Sequence, residues 1–290
     1  MRIPAVSSVA AILLTIVGPA HAVVGGAVER SPNGVRQSVV RVESSRGELC
    51  SGTLIAPDLV LTAAHCVTQR AAYRVVAVDS AFRQRAVMAT AAALHPAFVP
   101  GTTPRTQPGV DLALLKLRQP LGTDFAPLDP RAAAPVGAGQ PVELAGFGST
   151  AEDARGSARV LRRTQLVTLG TLQVANRVLV VADQQRLAAT SGAGACRGDS
   201  GGPILQGGRL VGVVSWSSGA LRSRVRTACG GFTAVTPVAE HAPWIAAGAD
   251  NLRRLAPEPQ AVDPNAYYAT GYAGQAEPVY VRRRAKRNRR

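Results

Sequence analysis

What most constrains this chain is a rhythm of short strand-like segments. Residues 38–43, 54–62, 73–78, 112–117, 141–144, 178–181 and 209–216 are rich in β-branched residues or alternate apolar with polar positions. Gly, Pro, Asp and Ser separate them. Long amphipathic helices are scarce; one short helix is expected over residues 243–248, with Pro243 in its first turn and Gly248 at its end. Many short strands without crossover helices argue an all-β barrel or sandwich. The proline-spaced stretch 118–135 reads as a connection between two β units. No internal repeat of fixed period is visible.

Composition narrows the class. With 290 residues, 46% hydrophobic and 18% charged, the chain is too apolar to be disordered throughout. Its formal net charge is +15, from 33 Lys+Arg against 18 Asp+Glu, which predicts attraction to anionic partners and says nothing of fold. No apolar run reaches the roughly 18–20 residues of a membrane-spanning helix.

Residues 1–22 read as a secretory signal. Arg2 gives a positive start, residues 9–17 a short apolar core, and Ala20-His21-Ala22 a small-x-small cleavage site. Cleavage there leaves a chain beginning Val23-Val24-Gly25-Gly26 in an extracellular or periplasmic compartment, where the four cysteines would pair.

Three motifs carry chemistry: Ala63-Ala64-His65-Cys66, Asp111-Leu112-Ala113-Leu114-Leu115 and Gly198-Asp199-Ser200-Gly201-Gly202-Pro203. Singly, each has a bland reading: a hydrogen-bonded core histidine, a turn-capping aspartate, a glycine-rich turn. Together they supply what nucleophilic catalysis needs. A serine needs a base to take its proton, and the base needs an acid that fixes its tautomer and stabilises the imidazolium. Glycines around the serine let backbone N–H groups point at a developing oxyanion.

In this order and with this N-terminus, the motifs resemble the trypsin-like, chymotrypsin-fold serine proteases over residues 23–249. The resemblance implies two packed antiparallel six-stranded β-barrels, at about 23–125 and 136–249, with a short C-terminal helix. It implies a Ser-His-Asp triad of Ser200, His65 and Asp111, with the amides of Gly198 and Ser200 as oxyanion hole. It places Ser215 against Asp111, and the backbone of Ser215, Trp216 and Ser217 beside an extended substrate. Gly146-Phe147-Gly148 resembles the family's Gly-Trp-Gly turn, with Phe for Trp. Disulfides Cys50–Cys66 and Cys196–Cys229 are implied, as is an ion pair between the freed Val23 amine and Asp199. No propeptide fits between Ala22 and Val23, so signal removal itself is expected to activate the enzyme.

The resemblance puts Gly194 at the floor of the specificity pocket, lined further by Ala195, Ser217 and Gly230. No carboxylate stands among them, so cleavage after Arg or Lys is not expected, and an uncharged residue before the cut is favoured. The rival reading is an acidic preference through Arg197 at the mouth and Arg222, Arg224 and Arg226; its bland counterpart is a solvated basic loop. No cofactor or metal is expected: His21 leaves with the signal, His65 is assigned, and His95 and His241 lack ligand-spaced partners.

Residues 250–290 lose apolar periodicity and read as a flexible, disordered tail, with Tyr267, Tyr268, Tyr272 and Tyr280 and a basic end over 282–290. It is either a solvated extension or an electrostatic tether to an anionic surface polymer. No specific nucleic-acid fold accompanies it. The expectation is a secreted monomeric endopeptidase acting on proteins or peptides. The alternative is a silent protease-like binding protein attached through that tail.

Overall fold

The computed structural model describes residues 23–101, 109–174, 176–224, 227–255 and 269–270. The expected signal segment, Arg226 and the basic end 282–290 lie outside the described residues.

Two closed barrels hold the chain. In the first, β2 (Val39–Ser44), β3 (Leu49–Ala56), β4 (Leu59–Thr62), β5 (Tyr73–Val78), β6 (Gln84–Leu94) and β7 (Ala113–Leu117) pair in the order β6-β5-β2-β3-β4-β7, and β6 closes on β7. In the second, β8 (Pro141–Gly146), β9 (Arg162–Gln173), β10 (Arg177–Ala182), β11 (Pro203–Gln206), β12 (Arg209–Ser217) and β13 (Phe232–Pro237) run β9-β10-β13-β12-β11-β8, and β8 closes on β9. All pairings within these barrels are antiparallel. β1 (Ala27–Val28) adds to the second barrel, with Ala27 opposite Arg163, so the first residues after position 22 belong to barrel two and not barrel one. β14 (Ala269–Thr270) pairs in parallel with Ala93 and Leu94 of β6; the rest of the expected tail beyond Leu255 lies outside the described residues.

Each barrel closes around its own apolar interior: Leu54, Tyr73, Val75 and Leu115 in the first, Leu144, Leu166, Val181 and Val214 in the second. A third cluster, including Leu59, Leu61, Leu114, Val213, Ile245 and Leu252, packs between the barrels and the C-terminal helix α1 (Ala242–Arg254). The connection between barrels is pinned to the first, where Ala126 donates to the Gln37 carbonyl at 3.0 Å and Leu128 to that of Leu54 at 2.9 Å.

Several elements differ from expectation. The segment 54–62 is not one strand, because Pro57-Asp58 turns the chain and Leu54 comes to face Val60 in a hairpin. β6 went unread because its alanine run has low strand propensity; ladders on both sides hold it extended. The helix runs on to Arg254, and Gly248 does not end it. A Cβ at Gly248 would come within 2.7 Å of Leu114 Cδ1, so that glycine permits close packing. Ile245, Gly248, Ala249 and Leu252 form the buried stripe that seats the helix. Among the described residues, no helix is long and apolar enough to cross a membrane.

Candidate active site

The site lies at the seam of the barrels. After β4 the chain makes a single 3-10 turn, Ala64–Val67, which carries His65. Asp111 stands two residues before β7, Ser215 on β12, and Ser200 in the loop before β11.

Asp111 is buried, and three donors converge on its carboxylate. The His65 amide donates to Oδ1 at 3.0 Å, His65 Nδ1 to Oδ2 at 2.8 Å, and Ser215 Oγ to Oδ2 at 2.6 Å. A buried carboxylate is costly unless paired and hydrogen-bonded. Burial would raise the Asp111 pKa, but the His65 charge and these bonds outweigh it and hold the group below its usual value. Burial would likewise lower the His65 pKa, but the Asp111 charge, its hydrogen bond and Glu48 raise it above the ordinary imidazole value. With Nδ1–H given to Asp111, the Nε2 lone pair is left for a proton.

Nε2 lies 3.7 Å from Cys66 Sγ, and the Ser200 carbonyl oxygen lies 3.8 Å from the same sulfur. The Ser200 hydroxyl itself has no hydrogen-bond partner among the described residues. Unliganded sites often show such loose nucleophile geometry. The sulfurs of Cys50 and Cys66 also approach His65, but they are joined as a disulfide and offer no thiolate to a metal.

Glycines shape the loop around Ser200. Gly198 has φ +97° and Gly201 φ +81°. A Cβ at Gly201 would sit 2.1 Å from Thr62 Oγ1 and 2.3 Å from the Ser51 carbonyl. Among the described residues, the amides of Gly198 and Ser200 meet no protein acceptor. Ser51 fastens the loop to barrel one: its amide donates to the Ser200 carbonyl at 2.8 Å, its hydroxyl to the Gly198 carbonyl at 2.9 Å. That role went unread, since nothing in the sequence distinguishes Ser51 from other strand serines.

Asp199 is wholly buried. Its oxygens accept the amides of Gly148 at 2.8 Å and Cys196 at 2.9 Å. Burial pushes its pKa up to about 7, against the pull of those two amides and of Arg162. Cβ atoms at Gly146 and Gly148 would reach within 2.2 and 2.4 Å of its carboxylate, which explains glycine on both sides of the buried Phe147. Among the described residues no cation forms an ion pair with Asp199, and Val23 is not bonded to it in the 290-residue chain. Val23 is nonetheless fully buried in the second barrel's core, at φ +50°. Next to it, Val24 bridges to Gly194.

Gly194 is buried, and the groups nearest it are uncharged. Ala195 donates its amide to Thr233 Oγ1 at 3.1 Å, and a Cβ at Gly194 would lie 3.5 Å from the Gly231 carbonyl and 3.7 Å from Thr233 Oγ1. Thr233 and Gly231 are thus the nearest neighbours of Gly194, which sequence reasoning missed. Gly230, at φ +79°, accepts the Gly192 amide at 2.8 Å, and Ser217 Oγ donates to the Ala228 carbonyl. Trp216 stands edge-on to Phe232, ring centroids 5.4 Å apart. The carboxylate of Asp183 accepts the amides of Ala193, Gln185 and Arg186, which hold it below the usual range against its burial. Arg197 is paired with Glu152, while Arg222 and Arg224 make no ion pair among the described residues. Cys196 and Cys229 form a disulfide, with Cα atoms 4.6 Å apart.

Comparison with known proteins gives the family. The trypsin family profile matches residues 23–245. A vitellin-degrading protease of Bombyx mori is 31% identical over 217 residues, covering 70% of this chain and 77% of that protein. Human granzyme M is 34% identical over 239 residues, covering 72% and 83%. Among solved structures, human heparin binding protein superposes with a TM-score of 0.62 at 24% identity, over 82% of this chain and all of that one, a likeness of fold alone. The chain belongs to the trypsin-like serine protease family.

Proposed function

We propose that this chain is an exported serine endopeptidase. The observation that carries the reading is the Asp111 carboxylate fixed by His65 and Ser215, beside a glycine loop with two uncommitted amides. Ser200 Oγ attacks the scissile carbonyl as His65 Nε2 takes its proton. Asp111 stabilises the imidazolium and does not itself become protonated. The amides of Gly198 and Ser200 receive the oxyanion; losing one such donor in comparable sites costs about 2.7–4 kcal/mol. His65 then protonates the leaving amine, and water, deprotonated by the same imidazole, releases the acyl group from Ser200.

The uncharged groups nearest Gly194, the Gly231 carbonyl and Thr233 Oγ1, support an uncharged residue before the cut, with the Asp183 carboxylate turned to the Ala193 amide. Two facts support activation by removal of residues 1–22. The Asp199 carboxylate is buried without an ion-pair partner among the described residues, and Val23 is a β-branched residue held at positive φ. The φ torsion turns about the Val23 N–Cα bond and is defined by the preceding carbonyl carbon, which cleavage removes, so cutting relieves that strain and releases an amine for Asp199.

Labelling with a fluorophosphonate tests the nucleophile. Mature protein 23–290 is expected to take up one label at Ser200, and none after His65→Ala. Absence of label on a sample shown to begin at Val23 turns the reading to a silent binding protein. The heparin binding named for one structural relative concerns that protein, and the basic end of this chain is the segment to test for a comparable role.

A further inference from the structure

We propose that Glu152 determines specificity by masking Arg197 at the mouth of the pocket, so that acidic side chains gain no advantage beside the scissile bond. The inference rests on the cleft reading above. Its first observation is how firmly Glu152 is presented. The Thr150 amide and hydroxyl both bond Ser157 Oγ, at 2.8 and 2.9 Å, and Ser157 Oγ bonds the Ala154 carbonyl at 2.5 Å. This ties the loop to itself.

From that loop the carboxylate spans both sides of the Cys196–Cys229 disulfide. Oε1 accepts Arg197 Nε at 2.9 Å and Nη2 at 2.6 Å, and Oε2 accepts the Ala228 amide at 2.6 Å. Cys229 Sγ lies 3.4 Å from Oε2. An exposed ion pair alone does little, but here a main-chain donor fixes the carboxylate and the arginine fork meets it with two bonds.

Arg197 stands three residues before Ser200, with its side chain 56% exposed. Unpaired, its guanidinium would favour an anionic group entering the cleft. Paired, the two charges cancel at short range, and Arg197 offers an entering anionic group no net attraction. Sequence reasoning offered Arg197 for an acidic preference without naming its partner, because Glu152, 45 residues earlier, gives no local signal.

The test uses mature protein carrying Ser200→Ala, so that binding is read without turnover. The probes are two fluorescent alanine-based hexapeptides with Glu or Gln at the residue before the expected cut, followed by anisotropy. In Glu152→Gln, which keeps an acceptor for the Ala228 amide, binding of the Glu peptide relative to the Gln peptide is expected to rise about fivefold. Adding Arg197→Ala is expected to return the ratio to that of the Ser200→Ala protein. Arg197→Gln with Glu152 intact is expected to shift the ratio the other way, which keeps the test decisive if one variant fails to fold. Both peptides binding with an unchanged ratio overturns the inference and leaves the cleft reading standing. Neither peptide binding to any variant overturns both.

Discussion

The Val24 carbonyl accepts a 3.0 Å hydrogen bond from the Gly194 amide. The second residue after the expected cleavage point is therefore fastened to the residue placed at the pocket floor. Val23 is buried immediately before the link.

On the proposed activation, keeping even one residue before Val23 would deny Asp199 its amine. Breaking a buried ion pair costs about 3–5 kcal/mol. A form with one added N-terminal residue is expected to lose about 100-fold or more in kcat/KM on a peptide substrate, while its fluorescence and circular dichroism stay those of a folded chain. Activity equal to the form beginning at Val23 would contradict the proposed activation.

The same extended form has a signature in pH. Asp199 titrates near 7 when folded and unpaired, against an ordinary carboxylate value near 4 when unfolded. A raised folded pKa means the native state binds the proton more tightly, so its stabilising effect is present below about 4 and lost as pH rises to about 7. The thermal midpoint of the extended form is expected to fall across that window. The form beginning at Val23, whose amine would bring Asp199 down, is expected to lack that fall.

Asp111→Asn removes the charge that offsets burial and raises the His65 pKa. The variant is expected to lose about 10⁴-fold in kcat, the loss this change causes in a Ser-His-Asp triad, through the wrong imidazole tautomer. In the parent, kcat/KM is expected to rise along a limb centred above pH 6.5, because His65 must be neutral to accept the Ser200 proton. A limb below that value would contradict the proposed role of Asp111.

Much of this architecture was legible because the chemistry is local. Gly-Asp-Ser-Gly-Gly and Ala-Ala-His-Cys are short, ordered motifs, and the cysteine pairs bracket them. Whole-barrel closure was legible only through the family resemblance: β6 hides its strand in alanines, and β9 alternates weakly. The roles of Ser51, Thr233 and Glu152 were not legible, because each acts across the fold on a segment remote in sequence. Gly248 misled for a related reason, since its packing against Leu114 is visible only in three dimensions.

Gly201→Ala tests the loop around Ser200. The substitution forces a side chain into positive φ and against Thr62 Oγ1 and the Ser51 carbonyl. It is expected to lower stability by about 3 kcal/mol, read by chemical denaturation, and to abolish labelling of Ser200. A variant of parental stability and labelling would show that the loop tolerates what this packing forbids.

The most direct test is a cleavage profile. Mature protein 23–290 and its Ser200→Ala variant would be incubated with a mixed peptide library, and the cut sites read by mass spectrometry. The account predicts cuts made only by the parent, with uncharged residues before the scissile bond. Identical empty profiles from folded samples beginning at Val23, or cuts that persist without Ser200, would contradict it.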